Sequence, residues 1–191
     1  MTTTHEVEWT PKARQILDAA SGLFYERGIH AVGVDTIAAE AGVTKRTLYD
    51  RFGSKEQLVV EYLRARNTAW HAFLQSRLDA ASSQPAAQLA AVFDATRDWA
   101  AERGHKGCAM INAHAEISDP THPAYPIIVG QKKELLELLT AIADATTAPR
   151  EVARRLLILH EGALVSAGLG VEPEAFDIAR DLALRVLADA I

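Results

Sequence analysis

The sequence predicts an all-α protein of about nine helices, and three observations support this fold class. Apolar residues recur at helical spacing along the 191 residues, and no stretch shows the strict alternation of a half-buried strand. Helix-favouring alanine, leucine, glutamate and arginine dominate the composition. Proline, glycine and N-capping residues divide the chain into segments of ordinary helix length. With 49% of its residues hydrophobic, the chain can bury one sizeable core or two smaller ones.

The first helix is predicted from Pro11 to Gly28, after a polar segment at residues 1–9 that we expect to be a mobile arm. Thr10 is a good N-cap, and proline at the next position suits the first turn of a helix. We interpret this helix as the scaffold beneath a small core. Its apolar stripe consists of Ala13, Ile16, Leu17, Ala20, Leu23 and Phe24.

Residues 33–55 predict two short helices joined by a tight turn, followed by the start of a third helix. Gly42 supplies the permissive backbone that the turn needs, and Thr44 is a suitable N-cap for the second of these helices. Leu48 and Phe52 lie four residues apart on its buried side. These are the elements of a DNA-binding helix-turn-helix motif.

The remaining faces of this motif carry the candidate DNA contacts, which are cations, hydroxyls and a tyrosine. Residues 44–55 hold four basic side chains and one acid, whereas the whole chain has a net charge of -5. A small basic patch on an acidic body suits contact with DNA through one restricted surface. We expect base contacts from Lys45, Arg46 and Thr47. We expect phosphate contacts from Thr44, Tyr49, Arg51 and Lys55.

The segment TIAAEAGVTKRTLYDRFGSKEQL also resembles the DNA-binding signature of the TetR family of bacterial one-component transcription regulators. The resemblance runs without a gap from about Ile16 to Tyr62. Tyr49 matches the phosphate-contacting tyrosine of the family, and Lys55 matches its lysine at the start of the fourth helix. The segment GCAMINAHAEISDPTHPAYPII is more loosely similar to the middle of the ligand-binding domain in one TetR subgroup.

Six further helices are predicted after the motif. Ser54 begins the fourth helix and forms a capping box with Gln57. We expect a helix-turn-helix DNA-binding domain at residues 1–53 and a helical ligand-binding and dimerisation domain at 54–191. The fourth to ninth helices are expected at residues 54–80, 85–103, 108–117, 123–145, 149–169 and from 173 to the C-terminus.

Two sets of residues in the second domain are candidates for regulation and assembly. An effector pocket, which the resemblance implies, is typically apolar with a few polar groups. We expect it to be lined by Trp99, Met110, His114, Tyr125 and His160. Small residues let helices approach closely, and the resemblance implies a four-helix dimer interface. Its candidates are Gly162, Ala163, Ser166, Ala167, Phe176 and Leu184, with plain intrachain packing as the alternative.

The interpretation that follows is a dimeric repressor that binds a palindromic DNA operator and is released by a small, largely apolar effector. One alternative is a metal- or thiol-responsive regulator using His105, Cys108 and His114, although their spacing fits no standard zinc pattern. A helical enzyme or a protein-binding module is a further alternative. No catalytic motif is present, so we expect no catalytic residues, no metal and no cofactor.

We expect the chain to be cytoplasmic and without membrane contact, because it shows no secretory leader and no long apolar run. The single cysteine, Cys108, cannot form an internal disulfide, which fits a reducing compartment.

Overall fold

A computed structural model describes residues 7–103 and 106–190. Within these ranges the chain is all-α, with nine helices and no strand, as the sequence predicts. The helices are α1 (Pro11–Arg27), α2 (Val34–Glu40), α3 (Lys45–Phe52), α4 (Lys55–Ala80), α5 (Pro85–Arg103), α6 (Ala109–Glu116), α7 (Tyr125–Ile142), α8 (Pro149–Gly168) and α9 (Ala175–Ala188).

Helix α1 forms as its sequence predicts. The Thr10 side chain accepts a hydrogen bond from the Ala13 backbone N–H at 3.2 Å. At the other end, Gly28 has φ +87, a left-handed conformation that favours glycine. The whole predicted apolar stripe is buried, so the scaffold interpretation of α1 is confirmed.

The segment just before α1 does not form the free arm that its polarity suggested. Val7 is only 9% exposed, and the Trp9 ring meets the Phe52 ring edge-on at a centroid distance of 6.4 Å. The Glu8 carboxylate lies 3.2 Å from the Arg51 guanidinium. The expectation of a mobile arm is therefore wrong for residues 7–9, because two apolar side chains anchor them. Residues 1–6 of the predicted arm lie outside the described ranges.

The chain forms two compact units. The described residues up to Arg66 form the first unit together with Ala109–Ile128. The second unit comprises Asn67–Cys108 and the residues from Val129 onward. This division differs from a boundary after residue 53, because the first part of α4 and all of α6 belong to the first unit.

In the second unit, α9 packs against both α8 and α5. Phe176 is 5% exposed and Leu187 is 2% exposed, so these large α9 side chains fill the core of their own protomer. Leu89, Phe93, Leu139 and Leu156 are fully buried in the same core.

A close backbone approach explains one of the small residues in α8. A Cβ atom added to Gly168 would lie 2.9 Å from the Cα atom of Gly107. Real Cβ atoms do not approach that closely, and a backbone atom cannot rotate out of the way as a side chain can. Gly168 thus serves packing within the chain.

We expect Gly168→Ala to lower the free energy of unfolding by about 1–3 kcal/mol through this overlap. Gly130→Ala in α7 is the matched control, since nothing lies within 4 Å of its added Cβ. That control should raise stability by up to about 1 kcal/mol through helix propensity. Urea denaturation of both variants measures the difference, and a Gly168→Ala protein as stable as Gly130→Ala would contradict the packing argument.

Candidate nucleic-acid interface

Helices α2 and α3, with the turn between them, form a helix-turn-helix motif. Gly42 has φ +61 between them, and the Val43 backbone N–H donates to the Ala38 carbonyl at 2.9 Å. The Thr44 side chain caps α3 by accepting from the Thr47 N–H at 3.1 Å. Leu48 and Phe52 are both fully buried, so the opposite face of α3 points outward.

The outward face of α3 presents the side chains that the sequence nominated for DNA contact. Thr44, Lys45, Arg46 and Tyr49 are exposed, and Tyr49 retains 40% of its accessible surface. The Thr47 hydroxyl lies 2.9 Å from that of Thr44. Cations, hydroxyls and a phenol therefore share one surface, which can donate hydrogen bonds to phosphate and base edges.

Carboxylates accompany the cations of this surface. Asp35 of α2 lies 3.0 Å from the Lys45 ammonium, and Asp50 lies 3.9 Å from the Arg46 guanidinium. Glu8 pairs with Arg51 as described above. Exposed pairs of this kind contribute about 0–1 kcal/mol, so DNA can displace them at little cost. Sequence reasoning missed Asp35 and Glu8, because neither is close to its partner along the chain.

Lys55 is placed differently, at the first position of α4. It is half-buried, and its ammonium lies 6.0 Å from the centroid of the Phe24 ring. Burial lowers the pKa of Lys55 below its ordinary value, and the nearby negative charge of Glu116 partly opposes that shift. The aromatic contact limits the freedom of this side chain and gives its charge a defined position.

Comparison with known proteins identifies the family. Residues 16–62 match the family profile described as "Bacterial regulatory proteins, tetR family". The chain is 31% identical over 179 residues to the HTH-type transcriptional repressor KstR2 of Rhodococcus jostii, covering 92% of this chain and 74% of that protein. The chain belongs to the TetR family.

Two further relatives agree with this assignment. A TetR-family transcriptional regulator from Streptomyces coelicolor superimposes with a TM-score of 0.86 at 31% identity, covering 97% of this chain and 99% of that one. The HTH-type transcriptional activator FasR of Mycolicibacterium smegmatis is 51% identical over 49 residues, which is 26% of this chain and 22% of that protein. This TetR-family chain is a DNA-binding transcriptional regulator and not an enzyme.

The five residues nominated for an effector pocket divide between the two units of the regulator. Met110, His114 and Tyr125 belong to the first unit, where the His114 and Tyr125 rings lie 5.9 Å apart. Trp99 and His160 belong to the second. None of the five lines the three grooves described within the second unit.

Trp99 belongs to an aromatic cluster with two residues of α4. Its ring centroid lies 5.6 Å from that of Trp70 and 5.4 Å from that of Phe73. The cluster packs against the core of the second unit, so Trp99 contributes to packing there.

His160 is 2% exposed and has the polar partners that a buried imidazole requires. Its Nε2 lies 2.9 Å from the Thr96 hydroxyl, and its Nδ1 lies 3.3 Å from the Glu161 carboxylate. Both ring nitrogens therefore have partners within the protein. Burial lowers the pKa of His160, although the hydrogen bond and charge of Glu161 oppose the shift.

The metal- or thiol-sensor alternative gains no support from the described residues. Over the described ranges, no three His, Cys, Asp or Glu side chains are placed to hold one ion. His105 lies outside these ranges. Cys108 is half-buried in the second unit with its Sγ 3.5 Å from the Lys132 ammonium, whereas His114 belongs to the first unit.

A groove that sequence reasoning missed lies between α4 and α7. It has a volume of about 200 Å³ and is lined mainly by Trp70, Leu74, Leu78, Leu135 and Leu138, with polar groups at its edge. Gln131 also lines it, and its Oε1 atom is buried without a hydrogen-bond partner among the described residues. Periodicity could not reveal this groove, because it depends on the pairing of two helices distant in sequence.

The candidate dimer residues fall on two different surfaces. Gly162, Ala163 and Ser166 line an α8–α9 groove of about 240 Å³. Ala167 and Phe176 line another groove that includes α5 residues, and Leu184 packs against the core. Phe176 is therefore largely committed to its own protomer. The exposed large apolar residues of α8, α9 and their connection are instead Ile158, Val165, Leu169, Val171, Ile178 and Leu182.

No helix in the part of the chain that the structure describes is long and apolar enough to cross a membrane.

His160 predicts a pH dependence of stability. An unfolded-chain histidine takes up a proton near its ordinary pKa of 6.5, whereas buried His160 takes one up only at lower pH. Between these values the unfolded state binds more protons, so the free energy of unfolding falls as the pH drops below about 6.5. The fall is at most about 1.4 kcal/mol per pH unit.

Denaturation at several pH values between 7.5 and 5 measures this slope. His160→Gln should lose the contribution of that site and show a shallower slope than the wild type. Equal slopes for wild type and His160→Gln would refute the assignment.

Proposed function

We propose that this regulator acts as a dimeric, ligand-responsive repressor that binds a palindromic operator and is released by a small, largely apolar effector. The observation that carries the proposal is an unpartnered apolar surface on α8 and α9 in a chain that has a single α3 helix. A two-fold dimer formed through that surface has two copies of α3, which suits two half-sites about one turn of DNA apart.

On DNA, Lys45, Arg46 and Thr47 contact base edges in the major groove. Thr44, Tyr49, Arg51 and Lys55 contact phosphates. The exposure of Lys45, Arg46 and Tyr49 on α3 supports contact with DNA through this face. Lys55 lies at the N-terminal end of α4, where the helix dipole favours anions, which supports a phosphate contact. Association then replaces the carboxylates of Glu8, Asp35 and Asp50 with DNA phosphates or bases.

A second copy of this chain covers the α8–α9 surface. Ile158 is 72% exposed on α8, and Ile178 and Leu182 are 46% and 43% exposed one turn apart on α9. Gly162 and Ser166 lie in the groove between them, so a partner helix can approach closely. Apolar residues of this size, grouped on one surface, mark interaction sites more often than free surface.

The effector binds in the groove between α4 and α7. The apolar lining suits an apolar molecule, and the buried Gln131 oxygen needs a donor. An apolar molecule that bears a hydroxyl or amide N–H group can satisfy this acceptor.

We propose that the regulator represses transcription and does not activate it, because the relatives whose similarity spans most of the chain are named as repressors. The similarity to an activator is confined to 49 residues. Contact with a bacterial chromosome requires a cytoplasmic location, which is part of the proposal.

Selection of operators from a random pool of duplex DNA tests this function. We expect enrichment of an inverted repeat, and native mass spectrometry of the purified protein should show a dimer that retains or accepts an apolar small molecule. Adding that molecule should weaken operator binding by about 5–150-fold, the usual range of allosteric coupling. Enrichment of a single unrepeated half-site, or of no sequence, would refute the proposal.

Lys55→Ala tests the phosphate contacts. Losing one contact should weaken binding to every sequence and reduce the slope of log K against log salt by about 0.9. Lys133→Ala is the control, because Lys133 is exposed on α7 in the second unit. Fluorescence anisotropy on operator and random duplexes gives both quantities. A changed base preference with an unchanged salt slope would show that Lys55 reads bases instead.

Leu182→Glu tests the dimer surface. In the monomer this side chain is partly exposed, so a carboxylate there costs little, but in the dimer it would be buried and unpaired. We expect a monomer with at least a tenfold loss of operator affinity, which corresponds to 1.4 kcal/mol or more. Ala141→Glu, at an exposed site on α7, is the control. Sedimentation of Leu182→Glu as a dimer would place the interface elsewhere.

A further inference from the structure

Glu116, the last residue of α6, makes an unusual contact with the turn between α1 and α2. Its Oε1 atom accepts a hydrogen bond from the Ile29 backbone N–H at 2.8 Å, and its Oε2 atom accepts from the His30 N–H at 2.6 Å. The side chain is 24% exposed, and 86 residues separate it from His30 along the chain. One carboxylate therefore holds two successive backbone donors of a distant turn.

The conformation of Gly28 makes room for this contact. Gly28 has φ +87, and a Cβ atom at this position would lie 3.1 Å from Glu116 Oε1 and 3.4 Å from Oε2. Any other residue would be strained there and would crowd the carboxylate. The turn thus provides both the donors and the space that the carboxylate occupies.

Glu116 lies at the C-terminal end of α6, where a negative charge is unfavourable, and its contact with the α1–α2 turn offsets that cost. A negative charge at a helix C-terminus is disfavoured by the helix dipole by about 0.3–1 kcal/mol. Charge-assisted hydrogen bonds to two N–H groups offset that cost. The positive charge of Lys55 also lies close enough to attract the Glu116 carboxylate. Glu116 is thus held by groups of the first unit, although α6 lies in sequence between two helices of the second.

The turn that Glu116 holds leads directly into the DNA-binding motif. Ile29 and Val32 are buried, at 6% and 1% exposure, and α2 begins soon afterwards at Val34, with Gly33 as its N-cap. Helix α2 has only seven residues, and Gly33 has no side chain with which to cap it. A helix this short has little stability of its own, so its orientation depends on its packing and on the turn that precedes it.

We propose that Glu116 is a positioning residue for operator binding, which fixes the α1–α2 turn and thereby the orientation of α2 and α3 without contacting DNA. This inference rests on the proposed DNA face of α3. Glu116 acts from a helix joined covalently at both ends to the second unit, so the segment that carries α6 contributes to the affinity of the DNA-binding motif.

Simple electrostatics predicts that removing the negative charge of Glu116 strengthens operator binding. Losing an acid near Lys55 reduces repulsion of DNA, and would strengthen binding if Glu116 had no other role. The positioning proposal instead predicts weaker binding. The turn loses one acceptor in Glu116→Gln, whose NH2 group then faces an N–H donor, and both acceptors in Glu116→Ala, so α3 is presented less often in the binding orientation. Whether operator affinity falls or rises therefore distinguishes a positioning role of Glu116 from a purely electrostatic one.

The experiment compares Glu116→Gln and Glu116→Ala with the control Glu137→Gln, at an exposed position on α7. Operator affinity is measured by anisotropy over a range of salt, and amide exchange of Ile29 and His30 is followed by NMR. For both Glu116 variants we expect about a tenfold rise in Kd for the operator, an unchanged salt slope, and faster exchange at the two amides. Glu137→Gln should behave as wild type.

Operator affinity that is unchanged or increased in Glu116→Gln, with exchange accelerated at Ile29 and His30, would overturn the proposal and leave the carboxylate a purely local role. Lys55→Ala in the same series separates this failure from failure of the DNA face. If Lys55→Ala also left operator affinity and salt slope unchanged, the assigned DNA face itself would be wrong. The Gln variant keeps the size of the side chain, so the comparison remains available if Glu116→Ala does not fold.

Discussion

The burial of one side of α3 is the constraint on which the DNA-binding unit depends. Helix α3 has eight residues, too few to be stable alone in water. Leu48 and Phe52 are removed completely from solvent, and α1 and α2 pack around them. Because those two side chains fix the rotation of the helix, they also decide which residues face outward. The chemistry of the outer face follows from the packing of the inner one.

The balance of charge on the outer face of α3 favours discrimination between DNA sequences over high affinity for DNA of any sequence. Lys45, Arg46 and Arg51 each lie within 4 Å of a carboxylate, so the surface is locally close to neutral. Non-specific DNA binding comes almost entirely from phosphate electrostatics, and neighbouring acids weaken that term for every sequence alike. Contacts to base edges then account for a larger share of the affinity for a correct site.

Local signals in the sequence predicted much of the fold, because caps, turns and apolar periodicity act over a few residues. Thr10, Gly28, Gly42 and Thr44 all play their predicted parts. Ser54 accepts from the Gln57 N–H as expected, but the Gln57 side chain binds Glu61 instead of completing the capping box. Competition between equally close partners is not visible in a pattern of residue types.

Long-range contacts could not be predicted in this way. Helix α9 is apolar on several sides, so periodicity could not separate Phe176, which fills the protomer core, from Leu182, which remains partly exposed. Local sequence patterns could not predict the contact between Glu116 and the α1–α2 turn either, because the two are at least 86 residues apart in the chain. It has a further consequence for protein engineering. A chimera that exchanged residues 1–66 for those of another regulator would leave α6 facing a foreign turn. The DNA-binding unit is therefore not contiguous in sequence, and residues 109–128 belong with it.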